Sequence, residues 1–600
     1  ERLQDVLRTS VGTRTRIYAP VGAHKDLLAY LVRRLLENGA NSSFVTIVGD
    51  ASVPVEKMLK RPKELLDSGH HSINRSIPLP KDLYGDSRQN SDGVEFGFAA
   101  ERNLLTSGMA KTTAPFTEAA PLGAGLKLSG DANPVFAPMD GSTKVGTVRF
   151  ADSETARLAV ENAQKGFEKW SRRPVEERAA AIDKVGDLLE ANRDRLMTIL
   201  SMEAGKCLTD GIAEIREAVD FCRYYAAEAR NLFGEGRLMP GPTGEENRYR
   251  YRGRGVFVCI SPWNFPGILS SRGFAFPLAA GNTIVLKPSE DTPYLGGLFF
   301  AEVLEEAGFP AGTFNVVTCS RDNVAAMGDE LIENPLVKGI SFTGSTPVGR
   351  HIAAKAGAHL KKACVELGGK DSLIILDDAD MDRATQAANF GSFMHQGQIC
   401  MSVERVLVHE SIYSEFLQKF VARAAKLKVG DTSDKANVIG PLINDRQVTR
   451  VQGQIDDALK KGAKAALGGG VNGRYVEPTI LTNVTPEMDV WRDETFGPVV
   501  TVVPFKTDTE AVALNNDTEF GLSAGIITAN EERALSMARQ LETGMCHVNC
   551  SSVNDEPHVP FGGSKASGVG RHGGRWSMET FTETRWITLD RGQRPYPPVF

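Results

Sequence analysis

Gly255-Val256-Phe257-Val258-Cys259-Ile260-Ser261-Pro262-Trp263-Asn264-Phe265-Pro266 reads as a short apolar strand running into a rigid loop. Pro262 and Pro266 fix the backbone on either side of Trp263, Asn264 and Phe265. Working outward, Ser270–Ala280 has the pattern of a helix, Thr283–Lys287 of a strand and Tyr294–Ala307 of a helix. Phe314–Val317 and Ile340–Phe342 read as further strands, and Pro347–Lys361 as a helix. Strands alternating with helices of this length predict an α/β fold on a doubly wound parallel sheet.

The flanks extend this pattern. Ser153–Trp170, Pro174–Ala204 and Asp210–Leu232 are long helical runs, and Asn247–Gly253 follows a Gly/Pro-rich turn as a hairpin arm. A second α/β region runs from about Val365 to Ser552. Phe581–Leu589 alternates like a strand suited to pair with another subunit's edge. Towards the start, Arg16–Ala19 is extended, Lys25–Glu37 is an amphipathic helix stopped by Gly39, and Phe44–Val48 is a strand. Residues 50–95 are rich in Pro, Ser, Asp and Gly and read as a linker with one short helix near Pro54–Asp67; 96–130 continue irregularly. There is no internal repeat and no low-complexity tract.

The chain has 600 residues, 41% hydrophobic and 24% charged, with net charge −6. At about 150 residues per domain, four domains or subdomains are expected. An acidic balance argues against a nucleic-acid or anionic-membrane partner. No apolar run reaches the ~18 residues of a spanning helix. The sequence opens on Glu1 with no leader-type pattern, and the cytoplasm is the expected compartment. The eight cysteines are scattered without a CxxC pair, so reduced thiols and no metal site are expected.

Three segments carry chemistry. Cys400, in Gly397-Gln398-Ile399-Cys400, lies in a loop between the helical pattern Ala384–Phe393 and the strand Arg405–Val408. A thiol there serves as a nucleophile if a base or a positive field activates it. In Val365-Glu366-Leu367-Gly368-Gly369-Lys370, a carboxylate among apolar residues has the raised pKa of a general base. The two glycines after it permit a tight turn and close backbone approach. In the opening loop, Asn264 can offer its amide to a developing oxyanion, and Trp263 and Phe265 can wall an apolar pocket. Gly344 and Ser345, at the start of a helix, can present backbone N–H groups to a pyrophosphate.

Together these segments resemble the aldehyde dehydrogenase superfamily, over roughly residues 131–600. Cys400 stands 34 residues after Glu366, the family's spacing. Leu286-Lys287-Pro288-Ser289-Glu290, Phe342-Thr343-Gly344-Ser345-Thr346, Glu494-Thr495-Phe496-Gly497-Pro498 and Pro560-Phe561-Gly562-Gly563 follow in order. The resemblance implies a Rossmann-like NAD-binding domain, an α/β catalytic domain and a β-hairpin oligomerisation arm. It implies Cys400, Glu366 and Asn264 as catalytic residues. Lys287, Ser289, Glu290, Gly344, Ser345, Glu494, Phe496 and Trp263 would hold the cofactor. Glu290 on the ribose would favour NAD over NADP. Cys400 would attack the aldehyde, Asn264 and the Cys400 N–H would hold the oxyanion, and Glu366 would activate water against the acyl thioester.

The two ends point to different aldehydes. Arg16–Gly22 and Tyr30–Asn41 resemble the end of the proline dehydrogenase barrel of proline utilization A, with Tyr18, Tyr30, Arg33 and Arg34 at the proline-site positions. Residues about 130–265, including Asp220–Ala226, resemble that enzyme's glutamate-semialdehyde half. The flavin-holding strands are missing, so FAD is not expected. By contrast Gly397–Arg405, Val553–Gly563 and the ending around Arg585-Trp586-Ile587 resemble the vanillin, salicylaldehyde and benzaldehyde dehydrogenases. Ser564–Gly570 departs from the semialdehyde enzymes' carboxylate-anchoring loop. The chain therefore reads as a mosaic that changes near 262–270. A pocket of Phe265, Ile399, Met401 and Phe561 suits a flat aryl aldehyde, with glutamate semialdehyde the runner-up and a non-catalytic scaffold the alternative of another class. The expected organisation is a barrel-end remnant at 1–50 and a linker at 51–130. The NAD-binding domain takes 131–234 and 254–365, the arm 235–253 and 578–592, and the catalytic domain 366–577. A homo-oligomer, dimer or tetramer, is implied, with a small-molecule aldehyde as substrate.

Overall fold

The structure is a computed structural model that describes residues 77–112, 118–123, 126 and 130–592, with isolated short pieces between residues 8 and 64 and at Pro598. Tyr18, Tyr30, Arg33, Arg34 and the strands expected at Arg16–Ala19 and Phe44–Val48 lie outside the described residues. The chain forms two compact units, Glu1–Pro78 and Leu79–Phe600. In the first, Val55–Met58 is helical. All that follows concerns the second.

One sheet is built on β1 (Val256–Ile260), β2 (Thr283–Lys287), β3 (Phe314–Val316), β4 (Val337–Thr343) and β5 (Lys362–Glu366). Its order is β5-β4-β1-β2-β3, all parallel, and a short antiparallel strand at Gly568–Val569 caps the β5 edge. The chain winds one way from β1 to β3 and then returns to the other side of β1. The switch point therefore falls between β1 and β4, where an open α/β sheet forms its binding crevice outside the strand carboxyl ends.

The strands are buried on both faces. Val256 and Val258 pack with Ala156, Ala159 and Ala163 of helix α1 (Ser153–Trp170). Phe257 and Cys259 face the other way, into the core shared by α2 (Leu208–Leu232) and α3 (Pro266–Ala279). α3 is buried all round, which explains its near-continuous apolar sequence. Asp152 caps α1 by accepting from the Thr155 N–H at 2.8 Å. Trp170 Nε1 donates to the Leu278 carbonyl at 2.8 Å and ties α1 to α3.

The second sheet holds β6 (Asp371–Ile375), β7 (Val403–His409), β8 (Lys464–Leu467), β9 (Thr479–Thr482), β10 (Val499–Phe505), β11 (Ala524–Ile527) and β12 (His547–Val548). The order is β8-β9-β10-β7-β6-β11-β12, parallel except for the β8 edge. Helix α4 (Thr346–Ala358) follows β4, and α5 (Met381–Phe393) lies between β6 and β7.

Three local expectations change. The run 174–204 is two helices, Val175–Ala191 and Arg193–Ala204, broken at Asn192. Residues 99–111, expected to be irregular, form a helix with Leu105 as its buried residue; one buried position leaves no apolar stripe to read. The tail strand Thr582–Leu589 pairs along its whole length with Glu246–Gly253 of its own chain. Arg237–Met239 completes that three-stranded arm on the other side.

Candidate active site

The loops after β1, β4 and β5 converge with the loop before β7 on one cleft of about 600 Å³, counting its open mouth. Trp263, Asn264, Gly344, Ser345, Gly368, Cys400, Glu494 and Phe496 are among its lining residues. Residues spread over more than 230 positions thus meet at the switch point of the first sheet.

Cys400 is half-buried on a backbone that no ordinary loop adopts. His395, Gln396 and Gly397 are left-handed in succession, with φ 47°, 57° and 69°. For the two non-glycine residues this conformation costs about 1–3 kcal/mol each. A Cβ at Gly397 would meet the Gly497 carbonyl at 2.1 Å, so only glycine fits there. The turn is held from several sides. Gln396 Nε2 donates to the Gly205 carbonyl at 3.1 Å, Gln398 Oε1 accepts from the Ile443 N–H at 3.1 Å, and Ser552 Oγ donates to the Met401 carbonyl at 2.7 Å. Burial pushes the Cys400 thiol up from its ordinary value, Arg272 opposes this, and Asp371, Glu494 and Glu366 reinforce it.

Asn264 precedes α3 and is buried. Its Nδ2 donates to the Gln398 carbonyl at 2.9 Å, tying the β1 loop to the Cys400 loop. An amide nitrogen has two donors, so one remains for a ligand. The buried Glu214 caps α3 beneath it, accepting from the Gly267 N–H at 2.6 Å while paired with Lys206 at 2.9 Å. The Lys206 ammonium lies 3.7 Å from the Phe265 ring centre.

Glu494 accepts from the Gly369 N–H at 3.0 Å, and burial, reinforced by Glu404, pushes its carboxyl up to about 7. A Cβ at Gly368 would meet that carboxylate at 2.7 Å, so the glycine admits it. Phe496, at φ 57°, meets Trp263 edge-on at 5.4 Å. Gly344 and Ser345 lead into α4, whose first turn has no side-chain cap. The Gly344 N–H is already engaged with the Glu366 carbonyl at 3.0 Å. A helix start open to a cleft, glycines where Cβ atoms would intrude and a carboxylate on the rim fit a dinucleotide.

Two sets of expected residues stand apart from this cleft. Lys287 ends β2, one strand over, and Ser289 and Glu290 follow it. Lys287 Nζ donates to the Pro288 carbonyl at 2.9 Å, Ser289 Oγ accepts from the Asp291 N–H at 3.2 Å, and Glu290 pairs with Arg321 at 3.4 Å. Glu366, at the end of β5, is buried and not among the lining residues. Neither of its carboxyl oxygens has a hydrogen-bond partner among the described residues. Burial pushes it up to about 8, against Arg272 and Arg571. Phe561, Ile399 and Met401 form one buried apolar cluster with Leu522, against which Phe265 and Cys400 pack.

Sequence reasoning passed over the supports of the cleft. Buried Glu404 accepts from the N–H groups of Thr495 and Phe496, each at 2.9 Å through Oε1, and pairs with buried Lys370. Gln447 Nε2 donates to the Phe496 carbonyl at 2.8 Å. Arg272, which pairs with Asp555 at 3.2 Å, lies 4.4 Å from the Phe561 ring centre. Charged residues inside apolar runs, Glu404 in β7 and Arg272 in α3, were the available signal.

The aldehyde dehydrogenase family model matches residues 127–587. The chain belongs to the aldehyde dehydrogenase family. A proline dehydrogenase model matches residues 1–47. The aldehyde dehydrogenase part is 42% identical over 452 residues to the benzaldehyde dehydrogenase YfmT of Bacillus subtilis, covering 75% of this chain and 92% of that protein. It is 41% identical to a vanillin dehydrogenase of Corynebacterium glutamicum, covering 74% and 92%. The fold superposes on a salicylaldehyde dehydrogenase from Pseudomonas putida G7, crystallised with salicylaldehyde, with TM-score 0.77 and 34% identity over 80% of this chain and all of that one. This aldehyde dehydrogenase is thus an oxidoreductase acting on aldehydes, in a family that uses NAD(P). Among the described residues no helix is long and apolar enough to cross a membrane.

Proposed function

We propose that this aldehyde dehydrogenase oxidises an aryl aldehyde to its carboxylate, with Cys400 as the covalent nucleophile and NAD as the preferred acceptor. The observation that carries this reading is the apolar cluster of Ile399, Met401 and Phe561, against which Phe265 and the cleft-lining Cys400 pack. A flat aryl ring gains from such walls, whereas an unpaired zwitterion there would cost several kcal/mol.

The Cys400 thiol gives up its proton to solvent, its thiolate adds to the aldehyde carbon, and the free Asn264 donor with the Cys400 N–H steadies the oxyanion. The dinucleotide, when bound, supplies the hydride acceptor. Glu494, Phe496 and Trp263 would orient its nicotinamide end, and Ser345 its pyrophosphate, with Gly344 leaving room beside it. Glu366, turned from its buried position, takes a proton from the water that releases the carboxylate. Glu290 would bond the adenosine ribose and repel a 2′-phosphate, which favours NAD. Lys287 and Ser289 stand beside it. We further propose that the arm of residues 237–253 and 582–589 joins subunits, and that residues 131–234 with 254–365 and residues 366–577 act as the cofactor and catalytic domains.

The test is NADH formation with benzaldehyde, vanillin and glutamate semialdehyde on the same preparation. Higher kcat/KM for the aryl aldehydes is expected. Turnover of glutamate semialdehyde alone would overturn the aryl reading in favour of the proline-catabolic one, which the proline dehydrogenase match at residues 1–47 supports.

A further inference from the structure

Behind the cleft, three side chains meet whose roles no motif joins. Cys364 and Glu366 are two apart on β5 and share one face of that strand. His572, hydrogen-bonded through its backbone to Phe561, closes on them from the loop after Gly568–Val569. One ligand atom from each, Sγ, a carboxyl oxygen and a ring nitrogen, lies within 4.8 Å of the other two, and all three residues are buried.

Their polar atoms are left open. Both Glu366 oxygens and His572 Nδ1 lack hydrogen-bond partners among the described residues. His572 Nε2 lies 3.5 Å from Ser341 Oγ, a contact that orients the ring. The Thr580 hydroxyl stands by the Cys364 thiol. Outer contacts of this kind orient metal ligands. Glycines keep the space clear: a Cβ at Gly570 would meet Cys364 Sγ at 2.9 Å, and one at Gly562 would meet Glu366 Oε1 at 2.5 Å. The two nearby cations are occupied, Arg272 with Asp555, and Arg571 with the carbonyls of Gly563 and Gly570.

We propose that Cys364, Glu366 and His572 form a binding site for a thiophilic divalent cation of the zinc class, whose occupation withholds Glu366 from the reaction at Cys400. The second clause rests on Glu366 being the base proposed above. A thiolate, a carboxylate and an imidazole are three ligands zinc takes together, water supplying the fourth. Bonds of about 2.0–2.3 Å leave ligand atoms roughly 3.3–3.8 Å apart, so the cluster contracts by small side-chain rotations on binding. Two bonds form with loss of protons, Zn–S from the Cys364 thiol and Zn–O from the Glu366 carboxyl. Neutral His572 binds through its lone pair, and both protons pass to solvent. Leu367 and Gly368, next after Glu366, line the cleft, which is the nearest solvent-connected space to the site on that strand.

The test uses the full chain carrying Cys400→Ser, which removes the nucleophile as a competing ligand. Titrated with zinc alone against a chromophoric chelator, it should bind one equivalent. Cobalt should give a thiolate charge-transfer band. Adding Cys364→Ser or His572→Gln should weaken zinc at least about 100-fold, since even outer contacts are worth 10–100-fold, and Cys364→Ser should remove the band. Cys364→Ala provides a second replacement without a ligand atom should serine disturb the fold. With Cys400 intact, zinc should spare the first-turnover burst of NADH and slow later turnovers at least about tenfold, an effect Cys364→Ser abolishes. No zinc bound by the Cys400→Ser chain, or binding that neither added substitution weakens, overturns the site. Binding that leaves later turnovers unchanged overturns the withholding of Glu366. A chain that oxidises no aldehyde overturns the proposed function and leaves the binding measurement standing.

Discussion

Cys400 and Glu366 both begin in the wrong protonation state for their proposed work. Burial holds the thiol protonated and keeps the Glu366 carboxyl neutral to about pH 8. Deacylation should therefore rise as pH passes upward through about 8. Glu366→Gln should flatten that rise and slow deacylation at least about 100-fold, followed by single-turnover decay of the acyl-enzyme. Stability carries the opposite sign. Glu366 ionises near 4.5 when unfolded and near 8 when folded, so between those values the fold holds the extra proton and loses stability as pH rises. A Glu366→Gln variant should lack this loss, and the gap between the two thermal midpoints should change steadily from pH 5 to 8. Cys400→Ala should abolish the acyl-enzyme while leaving dinucleotide binding, read by fluorescence titration, within about twofold of the parent.

At the scale of elements, the site depends on two short pieces of loop. Gly397 lets the nucleophile loop pass the Gly497 carbonyl, and Gly397→Ala should cost about 3 kcal/mol or more, measured by denaturant unfolding, with loss of activity. Glu404 holds the Thr495–Phe496 N–H groups from β7, and Glu404→Gln should leave Lys370 uncompensated. The expected cost is about 3–5 kcal/mol, with a higher KM for the dinucleotide than for the aldehyde. Strand and helix positions were legible because apolar periodicity is local, as Thr283–Lys287 and Ser153–Trp170 agree to the residue. The left-handed turn at His395–Gly397 was not, because its geometry is imposed by distant partners at Gly205, Ile443 and Gly497 rather than by its own residues.

For the whole molecule, the arm presents apolar side chains that the chain itself does not cover. Leu238 and Ile587 sit on either side of Arg248 in one cross-strand row and are 59% and 45% exposed. Leu589, two residues beyond Ile587, shares that face and is also exposed. A row of this kind is what a subunit interface would cover. Leu238→Asp with Ile587→Asp should convert the proposed oligomer to monomers in light scattering, while the local register of Thr582–Leu589 persists because its ladder is internal to the chain.

The sequence by itself determined the family and the α/β class and singled out Cys400, Glu366 and Asn264 as candidates, because ordered motifs and apolar periods survive without coordinates. Tertiary structure decided what surrounds them. It set which carboxylate lines the cleft and which lies buried behind it, how Glu404 and Arg272 are compensated, and that His572 lies beside Cys364 and Glu366. Those relations come from strands and loops far apart in the chain, and the burial that shifts each group is a property of the packed whole.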